Sequence, residues 1–119
     1  MAAAENLKIQ HMSLLLAGSS YLGLSLDRGQ ISQFQRYFRE LEDWNEKTNL
    51  TSIKGCEQVQ IRHFIDSLTA SLAVPPEMLA SGRAVDIGSG AGFPGLALKI
   101  AYPNLQVALI EASGKKTEF

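Results

Sequence analysis

The chain has a single cysteine, Cys56, which excludes an internal disulfide framework and suits a reducing compartment. Excess charge of one sign is equally lacking. Eleven lysines and arginines against twelve aspartates and glutamates leave a formal net charge of −1 over 119 residues. No global basic field therefore marks a nucleic-acid partner. Long apolar runs are missing as well. Leu14-Leu15-Leu16-Ala17 is too short to span a membrane, and Met1-Ala2-Ala3-Ala4-Glu5 has no positive leader segment. There is no internal repeat and no low-complexity tract. What is present is a globular composition, 45% hydrophobic and 19% charged, in the length of one domain. A soluble, cytoplasmic protein without a membrane partner is expected.

Apolar spacing predicts three helices first. One spans about residues 5–17 and is closed by Gly18 and the Ser19-Ser20 pair. In the second, Ile31, Phe34, Phe38, Leu41 and Trp44 recur at steps of three and four, with Asp27 or Ser32 as start cap and Asn45 at the end. The third covers about residues 57–73 with Val59, Ile61, Ile65, Leu68 and Leu72 as its stripe. Val74-Pro75-Pro76 stops it, because proline lacks an amide donor and restrains the residue before it.

Beyond this linker the pattern changes. Arg83-Ala84-Val85-Asp86-Ile87 reads as a strand, the glycine cluster after it as a turn, and residues 94–101 as a helix with proline in its first turn. Pro103-Asn104 turns the chain into a second buried-strand candidate, residues 105–110. This order is a βαβ unit with a parallel pair. Ser113 to Phe119 reads as the opening of a further helix. Two strands and one crossover helix leave apolar sheet surface uncovered, so the chain reads as a piece of a longer α/β domain, truncated after the second strand. Residues 1–76 form the N-terminal helical region and 77–119 the start of that domain.

The sharpest motif is Asp86-Ile87-Gly88-Ser89-Gly90-Ala91-Gly92-Phe93-Pro94-Gly95, lying between a strand and a helix. Glycines permit a tight turn and let the backbone approach a nucleotide ligand. Glu111 closes the second strand 23 residues after Gly88, where a carboxylate accepts hydrogen bonds from adenosine ribose hydroxyls. The sign of Asp86 separates two ligand classes. A dinucleotide brings a pyrophosphate to the helix start, whereas S-adenosylmethionine brings a sulfonium and an ammonium. Close unit charges at intermediate dielectric interact by about 4 kcal/mol, so an acid at Asp86 favours the cationic ligand.

Three segments together carry a resemblance: Asn49-Leu50-Thr51-Ser52, Arg62-His63-Phe64-Ile65-Asp66-Ser67, and Val85 through Gly95. They resemble the bacterial 16S ribosomal RNA small-subunit methyltransferase G family, also called glucose-inhibited division protein B, over about residues 27–119. The resemblance implies a Rossmann-like class I S-adenosylmethionine-dependent methyltransferase fold, and methylation of guanine N7 in 16S ribosomal RNA or the small ribosomal subunit. It implies cofactor contacts at Gly88 and Phe93, with Gly90 and Gly92 completing the loop and Glu111 in the ribose-acid place. The family's further cofactor contacts, including an arginine, fall beyond Phe119, so no turnover is expected from these 119 residues alone.

Smaller signals have plainer readings. Arg62 and Asp66, four apart, suit a helix-surface ion pair, while Arg62 and His63 are also candidate substrate contacts at the cofactor cleft or on RNA phosphate. Asn49 and Thr51 suit turn and cap roles. Lys54, Lys115 and Lys116 suit a solvated face. Cys56 and His11 suit structural roles, and no metal-ligand cluster is evident. A catalytic residue is not identifiable, and a monomer is favoured. Two alternatives stay open: a nicotinamide- or flavin-dependent Rossmann oxidoreductase piece, and a non-catalytic helical interaction module.

Overall fold

A computed structural model describes residues 12–114. Helix α1 is Ser13–Tyr21 and α2 is Arg28–Lys47. A continuous helical rod, α3, occupies residues 56–73. It runs as α-helix over Cys56–Val59, π-helix over Gln60–Ile65, α-helix over Asp66–Thr69 and 3-10 helix over Ala70–Ala73. Then follow α4 (Pro76–Ser81), β1 (Arg83–Ile87), α5 (Gly95–Ala101) and β2 (Gln106–Ile110). The strands pair in parallel with Val85 opposite Ala108 and Ile87 opposite Ile110. A mixed helix and strand architecture with a small parallel sheet is compatible with part of a class I methyltransferase fold.

Helix α2 begins where its sequence satisfies its own free amides. Asp27 Oδ1 accepts from the Gln30 amide at 2.8 Å, and Gln30 Oε1 accepts from the Asp27 amide at 2.8 Å. This is a capping box with glutamine in the third position. Asp27, not Ser32, is thus the cap, and Ser32 lies inside the helix. The Gln30 Nε2 also donates to the carbonyls of Ile100 and Ala101, at 3.1 and 3.2 Å, at the end of α5. The stripe Ile31, Phe34, Phe38 and Leu41 is buried as its spacing predicts, and Trp44 packs partly buried against the same core.

Three helical expectations are corrected. Gly18 does not end α1, which continues through Ser19 and Ser20 to Tyr21. Its missing side chain serves packing instead: a Cβ there would lie 2.7 Å from Ile65 Cδ1. The part of that predicted helix before Met12 lies outside the described residues. In α3, Ile61 and Leu72 are exposed, while Gln60, Phe64, Ser67 and Ser71 face inward with Val59 and Leu68. The π segment causes this, because an i→i+5 turn shifts the inward face relative to a 3.6-residue reading. It also brings Gln60 inside, where its Oε1 accepts from the buried Leu15 amide at 3.0 Å, one of the free donors of α1. Third, Pro75-Pro76 is not only a stop. Pro76 starts α4, a helix the spacing did not predict, although proline is favoured in a first turn.

The strands and the crossover helix lie where expected, within one residue. Lys99 holds the Pro103-Asn104 turn, its Nζ donating to the carbonyls of Pro103 and Leu105 at 2.5 and 2.7 Å. The sheet surface expected to be uncovered by two strands and one crossover helix is so, and β2, read as a buried-strand candidate, is covered on one face only. Ala84, Asp86, Val107 and Leu109 face α5, whereas Val85, Ile87, Ala108 and Ile110 lie on the opposite, exposed face. An apolar run suited to cover on both faces has cover on one. The helix predicted to open at Ser113 lies outside the described residues beyond Gly114.

Candidate functional site

The site is built where β1 gives way to α5. Gly88, Gly90 and Gly92 have φ of +73°, +53° and +94°, conformations that glycine reaches without steric cost. The amides of Gly88 and Ser89 donate to the Ile110 carbonyl at 2.7 and 3.1 Å, fastening the turn to the end of β2. Glu111 tightens that seam. Its Oε1 accepts from the Gly90 amide at 2.7 Å and its Oε2 from the Ser113 amide at 3.0 Å.

The glycines divide by what surrounds them. A Cβ at Gly88 would meet nothing within 4 Å, and one at Gly90 would meet Glu111 Oε1 no closer than 3.7 Å. The backbone there is open to approach. At Gly92 a Cβ would lie 2.7 Å from Tyr37 Oη and 3.1 Å from Leu96 Cβ, so this glycine serves packing. Asp86, half-buried, accepts from the Gly95 amide at 3.0 Å and so caps the first turn of α5. Gly95 is needed for that contact, since a Cβ would fall 2.7 Å from Leu109 Cδ2 and 2.9 Å from Asp86 Oδ2.

Phe93 turns inward. Its ring lies between His63, at 4.2 Å and 3° between planes, and Tyr37, at 5.0 Å and 14°. Phe64 closes the cluster with tilted contacts to Phe34, Tyr37 and Phe93. The Tyr37 hydroxyl donates to the Ala91 carbonyl inside the turn. Thr51 Oγ1 lies 2.9 Å from His63 Nε2 and accepts from the Ile53 amide at 3.1 Å, while the Thr51 amide donates to Asn45 Oδ1 at 2.9 Å. The segments around Thr51, His63 and Phe93, separate in sequence, therefore meet in one contact chain. Burial, and secondarily the Asp86 carboxylate, push the Tyr37 phenol far above its ordinary range, keeping it a donor. Burial lowers the His63 pKa, with Asp66 opposing, so its ring favours the neutral form.

Asp86, Gly88, Gly90, Gly92, Phe93 and Glu111 are thus brought together as one turn. His63 joins them through Phe93. Arg62, its neighbour, is exposed, and the expected Arg62–Asp66 pair is not formed: among the described residues the ion pair is Arg36–Glu40 at 3.7 Å. The π turn between residues 62 and 66 alters the i,i+4 neighbour relation on which that pair depends. Lys54 borders a groove of about 290 Å³ with Glu42, Asp43 and Glu46, an acidic setting that opposes a phosphate contact. A second groove, about 400 Å³, lies between α2 and α5 beside Tyr37 and Leu96. Among the described residues, no three His, Cys, Asp or Glu side chains gather as a metal-ligand set, and no helix is long and apolar enough to cross a membrane.

Tyr37 is the participant that the sequence reading missed. Its signal was present: Phe34, Tyr37, Phe38 and Leu41 fill one helical face at steps of three, one and three. What could not be read was its partner, 54 residues away.

Comparison with known proteins completes the picture. The family model described as rRNA small subunit methyltransferase G (GidB) matches residues 30–119. Proteins named Ribosomal RNA small subunit methyltransferase G are similar over most of the chain. The one from Roseiflexus sp. (strain RS-1) is 50% identical over 108 residues, covering 91% of this chain and 45% of the relative. That from Dehalococcoides mccartyi (strain CBDB1) is 46% identical with the same coverage. That from Caldanaerobacter subterraneus subsp. tengcongensis is 41% identical over 113 residues, covering 95% of this chain and 46% of the relative. The chain spans about half the length of the curated relatives it matches. With its motifs gathered at one turn and a family match across three quarters of its length, the chain belongs to the rRNA small subunit methyltransferase G family.

Proposed function

We propose that this chain is the donor-binding part of an S-adenosylmethionine-dependent enzyme that methylates guanine N7 in 16S ribosomal RNA, free or within the small subunit. On this reading residues 1–76 are a helical region and 77–119 begin a Rossmann-like class I methyltransferase domain. The protein works in the cytoplasm as a monomer.

The observation that supports this best is an open glycine backbone flanked by two carboxylates. Approach is free at Gly88 and Gly90. Glu111 accepts from the Gly90 and Ser113 amides, which sets a carboxylate beside the open backbone, where ribose hydroxyls can donate to it. Asp86 already places negative charge at the first turn of α5. A pyrophosphate there would meet an anion, whereas a sulfonium and an ammonium would be attracted. When bound, S-adenosylmethionine supplies a methyl group on a good leaving group. The protein's task is then to bind and orient. Guanine N7 offers a lone pair and has no proton to lose, so in-line positioning can carry most of the barrier reduction without a strong general base or a metal. The N7 edge of a paired guanine lies in a deep, narrow groove, so the target is an unpaired guanine. Exposed Arg62, beside His63 on α3, is the group assigned to RNA phosphate.

Titration calorimetry with S-adenosylmethionine and with NAD tests the reading. S-adenosylmethionine should bind and NAD should not. Glu111→Ala should weaken binding about ten- to a hundredfold, as loss of hydrogen bonds to a charged group does. Tighter binding of NAD would overturn the proposal in favour of a dinucleotide-dependent oxidoreductase.

A further inference from the structure

We infer that Tyr37 and His63 are positioning residues for the methyl donor, fixing the shape of the glycine turn from the helical side through the Phe93 ring and the Ala91 carbonyl. This rests on the donor reading above.

A turn with three glycines at positive φ has much conformational freedom to lose, and a ligand that must order it binds more weakly than one meeting it preformed. The outer half of this turn is held by β2, through Ile110 and Glu111. Its inner half, residues 91–93, is held by the helices. Tyr37 donates to the Ala91 carbonyl, and its hydroxyl also sits over Gly92, where a Cβ would be 2.7 Å away. Phe93 then lies flat between Tyr37 and His63. His63 is located in turn by Thr51, and Thr51 by Asn45. The shape of the turn is thereby coupled to the π segment of α3 and the end of α2.

Two features distinguish this stack from ordinary core packing. Phe93 and His63 are only half-buried, whereas Phe34 and Phe64 are wholly buried. The His63 and Tyr37 rings are also nearly parallel to Phe93, at 3° and 14°, while Phe64 meets Phe34 at 52° and Phe93 at 42°. The stack is part-exposed and reaches the turn through Phe93.

The test is titration of S-adenosylmethionine into the full-length protein that carries this segment, unmodified and as Tyr37→Phe, His63→Ala and His63→Phe, with a thermal melt of each. Tyr37→Phe keeps the ring and loses only the hydroxyl, and should bind about three- to tenfold more weakly, the worth of one hydrogen bond. His63→Ala should weaken binding about tenfold, and His63→Phe should recover most of that by restoring a ring on Phe93. A side chain with a purely structural role would lower the melting temperature without this split in affinity. Affinities within twofold of the unmodified protein in both Tyr37→Phe and His63→Ala, or no recovery in His63→Phe, would overturn the inference. If His63→Ala does not fold, Tyr37→Phe and His63→Phe decide it. If the unmodified full-length protein takes up no donor, the donor reading itself fails, an outcome distinct from equal affinities across the set.

Discussion

In the helical segment Leu15, Phe34, Phe64 and Leu68 are wholly buried, whereas in the sheet Val85, Ile87 and Ile110 keep 60, 80 and 53% of their surface exposed. The helices have enough amphipathic faces to enclose one another, with Gln60 satisfying a buried amide that packing alone would leave free. The two strands have α5 on one side only. The sheet region is if anything the more apolar of the two, so what differs is cover, not a lack of apolar residues. Stability should therefore reside in the helices, and substitutions in the two regions should have unequal effects.

The largest effect is expected at Phe64, which touches Phe34, Tyr37 and Phe93. Phe64→Ala should cost about 3–5 kcal/mol, measured by urea denaturation. A loss below about 1 kcal/mol would mean that the helical core is not the main source of stability. Next is the seam between the regions. Gly92→Ala should cost about 1–3 kcal/mol from its backbone conformation alone, and more from the approach to Tyr37 Oη. Gly88→Ala, with nothing within 4 Å, should cost less than Gly92→Ala in the same melts.

A smaller effect is expected from pH. Burial lowers the His63 pKa from its ordinary 6.5, so the unfolded chain binds a proton more readily than the folded one. The stability gained from a neutral His63 is complete above the unfolded value and is lost as pH falls through the lowered one. His63→Gln should flatten that part of a stability profile, and an unchanged slope would place the titration elsewhere. The smallest effect belongs to the open sheet face. Ile87→Ser should change stability by no more than about 0.5 kcal/mol, while reducing binding of an apolar dye. A large loss there would show that the face is covered in solution.

The same contrast governs what the sequence made legible. The strand limits, the glycine turn and the α2 stripe rest on local signals such as β-branched runs, turn residues and 3.6-residue spacing, and all three lie where those signals put them. The inward face of α3 departs from a 3.6-residue spacing because of the π segment, and the partner of its buried Gln60 is Leu15, 45 residues away. Gly18 reads locally as a stop, whereas what requires it is the close approach of Ile65, 47 residues away. In the candidate site, the positions of Asp86 and Glu111 followed from turn chemistry. The Tyr37–Phe93–His63 stack did not, since its members come from α2, α3 and the turn, and nothing local pairs them.

Gln30 ties the first turn of one helix to the last turn of another, holding the Asp27 amide with its oxygen and two α5 carbonyls with its nitrogen. Fraying at either end therefore removes the partner that steadies the other. Residues near position 27 and near position 101, far apart along the chain, should open to solvent as a unit, and amide exchange at Ile31 and Tyr102 should rise together when Gln30 is replaced by alanine.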